Sequence, residues 1–135
     1  MHVVRFDEAG FRERVQGRYD RSEDILVGPQ LGESCVAATV RMRRGFRTEV
    51  HAHDEQEQLF IVLRGKGQMT IGDEVREIHG GMVVFIPRKA PHAVEATGRE
   101  LVYIYVSAWP DRKPAGLQAK VRQDGRILNI TYEKA

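Results

Sequence analysis

The residues best placed to do chemistry are three histidines and their polar neighbours. His51 and His53 stand one residue apart in HAHDEQEQLF, with Glu57 and Gln58 just downstream, and His92 follows in RKAPHAVEA. An imidazole nitrogen binds divalent transition metals at about 2 Å. In an extended segment alternate side chains share a face, so His51 and His53 point the same way with Ala52 opposite, the arrangement of two ligands to one ion. Taken alone, an HxH pair is also what a polar, outward strand face looks like. Arg41 and Arg43 alternate with Val40 and Met42, which makes one strand face basic. Arg41 there either clamps a substrate carboxylate bidentately or lies on a solvated outer face, the commoner fate of arginine. Tyr103 and Tyr105 share a face and offer either a hydroxyl acid or packing, with packing favoured. Together with Phe60, which shares its face with Gln58, Arg41 and Tyr103 are the candidates for a substrate pocket.

The remaining reactive residues carry less. His2 and His79 have ligand spacing to nothing and read as surface histidines. Cys35 reads as a small buried hydrophobe in a strand, because no adjacent histidine or basic helix start would lower its pKa. The chain shows no Ser/His/Asp or Cys/His arrangement, no phosphate-cradling glycine loop and no carboxylate pair with glycosidase spacing.

These residues must be positioned by strands. From Cys35 onward the chain is a series of short β-branched and apolar runs broken by Gly, Pro and Asp, the pattern of an all-β sandwich or barrel. Strands are expected at roughly 35–43, 47–53, 57–64, 67–71, 74–78, 82–86, 92–96 and 100–107. TIGDEV, residues 70–75, reads as a tight hairpin with Gly72-Asp73 at its turn. Before the strands, Asp7 caps a short helix through Val15, and the polar QGRYDRSED reads as a loop. After them, WPDRKPAG should cross a surface or leave the domain, and KVRQDGRILNITY could form a further hairpin. The 135 residues suit one domain. Its parts are an N-terminal segment of helix and loop (1–34), the strand-rich body (35–107) and a C-terminal extension (108–135).

Composition narrows the classes. With 30% charged and 41% apolar residues the chain has the balance of a folded globular protein, not a disordered one. A net charge of +2, spread over 21 basic and 19 acidic residues without basic runs, argues against nucleic acid as a partner. The apolar runs are far too short to span a membrane, and no secretory signal is evident at the start. One cysteine excludes an internal disulfide framework, so a cytoplasmic location is expected.

Two stretches together resemble the motifs of the cupin family. GFRTEVHAHDEQEQLFIVLRG, residues 45–65, is similar to the first, G(X)5HXH(X)3–4E(X)6G: Gly45, His51, His53 and Gly65 match, and Gln58 stands where the family has its acid. GMVVFIPRKAPHAVEA, residues 81–96, is similar to the second, G(X)5PXG(X)2H(X)3N: Gly81, Pro87 and His92 match, while Lys89 and Ala96 replace its later Gly and Asn. The resemblance covers about residues 35–107. It implies a double-stranded β-helix (jelly-roll) barrel with one divalent transition metal ion inside, and His51, His53 and His92 as ligands.

The fourth ligand has two candidates. Register read back from Gly65 selects Gln58; chemistry would select Glu57; strand alternation puts them on opposite faces, and register favours Gln58. An amide in place of a carboxylate leaves a divalent ion its full +2 charge, which favours anionic substrates but holds the metal less tightly. Fe, Ni, Mn, Cu and Zn all suit such a site. The expected function is a mononuclear metal-dependent enzyme acting on a small oxygenated, possibly anionic metabolite, with dioxygenase-like chemistry first. A metal-dependent isomerase or lyase, a small-molecule-binding module, or a structural barrel with vestigial histidines are the alternatives. The family resemblance also implies a homodimer, with the terminal segments covering strand edges.

Overall fold

The computed structural model describes residues 1–5, 21–111, 117–121 and 127–132. Within them the chain forms eight strands: β1 (Arg21–Val27), β2 (Cys35–Arg43), β3 (Glu57–Ile71), β4 (Glu74–His79), β5 (Val83–Ile86), β6 (His92–Ala108), β7 (Leu117–Val121) and β8 (Ile127–Tyr132). The first six form one antiparallel sheet in the order β1-β2-β6-β3-β4, with β5 also pairing β3. β7 and β8 form the expected C-terminal hairpin as a separate two-stranded sheet, and β8 lies against β1.

β3 and β6 carry the barrel. The sequence suggests breaks near Gly65 and Gly98, yet 57–64 and 67–71 join into one strand, as do 92–96 and 100–107. The glycines bend these strands instead of ending them. The β3–β6 register slips between Val62 and Arg64 and again between Gly65 and Gly67, and such bulges increase local twist and curl a sheet toward closure. Gly65 has φ +87°, and a Cβ there would collide with the Glu100 carbonyl, so only glycine fits this bend.

Two further expectations are corrected. Residues 47–53 are not a strand: the segment touches the sheet through isolated bridges, Arg47 to Glu95 and His51 to His92. Conversely, Arg21–Val27, which read as polar loop and its margin, pairs β2 from Arg21 opposite Met42 onward. Tertiary pairing along β2 overrides the weak local strand propensity of RSED. The helix expected over 7–15 lies outside the described residues.

Alternation sets the core. Val40 and Met42 of β2, Phe60 and Val62 of β3, and Leu101 and Tyr103 of β6 turn to one side and are at most 5% exposed. The Phe60 and Tyr103 rings stack at 4.5 Å between centroids with 20° between planes. Each such side chain contributes roughly 1.5–3 kcal/mol on burial. Odd-numbered residues of β2, among them Arg41, take the opposite, outer face, where Arg41 stands across from Val102.

Candidate metal centre

The three histidines meet where the loop segment crosses the start of β6. His51 and His92 form an antiparallel pair that exchanges both backbone hydrogen bonds: His51 N donates to the His92 carbonyl at 3.1 Å, and His92 N donates to the His51 carbonyl at 2.9 Å. Directly opposed residues present side chains to the same face, and the two rings lie 4.2 Å apart. His53 joins them at 5.0 Å from His51 and 5.2 Å from His92. Its carbonyl is held by Lys89 N at 2.7 Å. One ligand nitrogen from each ring lies within 4.8 Å of the others, so the three residues could hold a metal ion.

Backbone carbonyls fix the tautomers. His51 Nδ1 donates to the Glu49 carbonyl at 2.7 Å, and His92 Nδ1 donates to the Ala90 carbonyl at 2.9 Å. A carbonyl only accepts, so the proton of each neutral ring sits on Nδ1 and Nε2 keeps its lone pair. Burial first, then the neighbouring His51 and His92, push the His53 pKa down to about 4 against a small opposing pull from Asp54. Burial is also the main reason the His92 pKa is lowered, the Ala90 carbonyl opposing it and His51 assisting. Both rings are therefore neutral at pH 7, the protonation state that ligates metal.

Three buried polar atoms among the described residues have no hydrogen-bond partner: His53 Nε2, His92 Nε2 and Gln58 Oε1. Buried polar atoms are normally paired, and each one left bare costs about 1–3 kcal/mol. All three are electron-pair donors, and the two imidazole nitrogens belong to the group that could hold a cation.

Gln58 and Glu57 part company as strand alternation requires. Gln58 shares the interior face with Phe60 and Val62 and stands opposite Ile86 and Ser107. Its Nε2 donates to Ser107 Oγ at 2.9 Å, which aims the other amide atom away from that partner. Glu57 takes the face of Leu59 and Ile61 and is not in the histidine group.

Of the pocket candidates, Phe60 and Tyr103 form part of the interior wall. Tyr103 is 1% exposed, and its hydroxyl hydrogen-bonds Met42 Sδ at 4.0 Å, so it packs. Arg41 is elsewhere. On the outer face its Nε donates to Glu100 at 2.7 Å, and Arg64 Nε donates to the same carboxylate at 2.8 Å. The hydrogen bond from Arg64, foremost, and that from Arg41 hold Glu100 below the usual carboxylate range, against the opposing effect of burial. Cys35, expected to be buried, is only half-buried, because it opens β2 opposite Ala108 near the end of β6. His2 and His79 are exposed, as expected, and hydrogen-bond backbone carbonyls.

Sequence reasoning missed two contributors. Ser107, 3% exposed, is the polar residue in the apolar run LVYIYVSA, a signal that was there to be read. Lys89 is the only non-glycine residue with positive φ, +67°, among the described residues. It stands where the second motif has glycine.

Residues 38–107 match the family model described as "Cupin domain". An uncharacterized protein of Methanocaldococcus jannaschii is 33% identical over 66 residues, a match covering 49% of this chain and 53% of that protein, about half of each. A cupin-like protein from Thermotoga maritima superimposes with a TM-score of 0.70 at 27% identity, over 81% of this chain and 86% of that one. The structure of a predicted oxalate decarboxylase from Thermotoga maritima gives 0.66 at 18% identity, over 78% and 99%, a likeness of fold. No helix among the described residues is long and apolar enough to cross a membrane.

Proposed function

The chain belongs to the cupin family, and we propose that it is a mononuclear metal-dependent enzyme acting on a small oxygenated, anionic metabolite. The observation that carries this reading is that His53 Nε2 and His92 Nε2, buried and without a hydrogen-bond partner, belong to one histidine group with His51, while the buried Gln58 Oε1 is also left bare. A barrel built only for stability would fill this space with apolar side chains, since unpaired polar atoms weaken it.

Under this reading His51, His53 and His92 supply three neutral nitrogens and Gln58 a neutral oxygen. A redox-active ion would bring dioxygen chemistry to the site, and zinc would bring Lewis acidity for isomerase or lyase work. The chain's own contributions are distinct from the ion's. The Glu49 and Ala90 carbonyls fix the rings of His51 and His92, and Ser107 orients the Gln58 amide. The stacked Phe60 and Tyr103 keep the interior apolar, which strengthens electrostatic attraction between the centre and an anion. No interior carboxylate or free imidazole stands ready as a general base among these residues. That favours dioxygenase-like chemistry over proton-transfer chemistry.

The test is elemental mass spectrometry on purified protein beside the double variant His51→Ala, His53→Ala. About one equivalent of a transition metal in the parent and little in the variant is expected. An iron-loaded protein should then consume dioxygen with a small α-oxo or enolic carboxylate. Absence of metal from both proteins, even after reconstitution, would refute the enzyme reading and favour a barrel that binds its ligand without an ion.

A further inference from the structure

Lys89 holds a backbone conformation that a residue with a Cβ avoids. Its φ of +67° lies in the left-handed region, where glycine is the default. Strain of this kind persists only where the surroundings impose it, and it clusters at functional sites. Here the strained peptide is tied to the metal centre, because Lys89 N donates to the carbonyl of His53 at 2.7 Å. Holding His53 in place requires only the backbone, and glycine would supply that without strain. The side chain at this position therefore needs a separate reason.

Charge supplies one. The strand arginines Arg41 and Arg64 are both engaged by Glu100. Arg88, beside Lys89, is paired with Asp111 at 3.1 Å. Asp54, next in the chain to His53, is close enough for its charge to act on that ring, and a carboxylate there repels an incoming anion. Lys89 is exposed and has no ion-pair partner among the described residues. We propose that Lys89 is a specificity-determining residue, the cation at the mouth of the centre that recruits carboxylate-bearing ligands and offsets Asp54. The inference rests on the metal reading above and narrows its substrate class to organic carboxylates captured jointly by the ion and an ammonium group on a flexible stem.

The test uses cobalt(II)-loaded protein, with malonate as the anionic probe and imidazole as the neutral one, followed by visible absorption. Lys89→Met and Lys89→Gly should each bind malonate about fivefold to tenfold more weakly than the parent, the scale of one solvent-screened charge pair. Lys89→Arg should bind it like the parent. The difference should close at about 0.5 M salt, where screening is strong, and imidazole binding should be unchanged throughout. Lys89→Gly should also melt about 3 °C higher than the parent, because the strain is relieved. A merely structural lysine would not give a more stable protein with weaker anion binding. Parental malonate affinity in Lys89→Met with normal cobalt content overturns the proposal, as does a loss that extends to imidazole. A parent that takes up no cobalt overturns the metal reading itself, and the metal content shows that separately.

Discussion

Ser107→Ala separates the support of the centre from the centre itself. The hydroxyl accepts from Gln58 Nε2 at 2.9 Å and is buried, the residue being 3% exposed, so water cannot take its place. Removing it strands one amide donor, at about 1–3 kcal/mol. Without metal the variant should therefore melt roughly 3–6 °C lower than the parent, taking about 1–2 kcal/mol as the realised loss. The second effect is on metal binding. With its anchor gone, the Gln58 amide is free to turn, and loss of a group that orients a ligand typically costs about 10–100-fold in metal affinity. The lower figure corresponds to about 1.4 kcal/mol. Calorimetric titration of metal into the parent, Ser107→Ala, Gln58→Ala and the double variant completes a cycle. Ser107→Ala should weaken binding in the parental background and do nothing further once Gln58 is gone. If Ser107→Ala lowers stability while metal affinity stays parental, Gln58 does not touch the ion, and the reasoning from its bare Oε1 fails.

Three further outcomes are expected. The pKa of His53 is about 4 when folded and 6.5 as its reference. The unfolded chain thus binds more protons between those values, and metal-free stability should rise with pH across that window and be lost as pH falls from about 6.5 toward 4. Urea midpoints at several pH values should show this, and His53→Gln should flatten the slope. Gln58→Glu should tighten metal binding by about tenfold or more, through the added negative charge, while lowering metal-free stability at pH 7 by burying a carboxylate; Glu57→Gln should change neither. Two copies pairing along β5, where Val83 and Phe85 are 61% and 54% exposed, should sediment as a dimer at micromolar concentration and as a monomer after Phe85→Glu; a monomeric parent refutes the pairing.

The sequence by itself determined the class of fold and the three histidines that could hold a metal ion. Period-two apolar runs from Cys35 to Ser107 require strands whatever their partners, and the spacing of His51, His53 and His92 among motif glycines carries the family resemblance. Strand alternation also put Gln58 and Glu57 on opposite faces, because that is local geometry. Which face turns inward was not local, since both faces of 57–63 are apolar. Pairing of β3 with β5 and β6 decided it, and placed Gln58 against Ser107. Tertiary structure likewise decided that Arg41 takes the outer face, where Glu100 engages both it and Arg64, and made 47–53 a bridged segment instead of a strand. Side-chain type and spacing are written along the chain. The partner across the sheet, which sets burial, tautomer and charge, is fixed only when residues some forty to sixty positions apart are brought together.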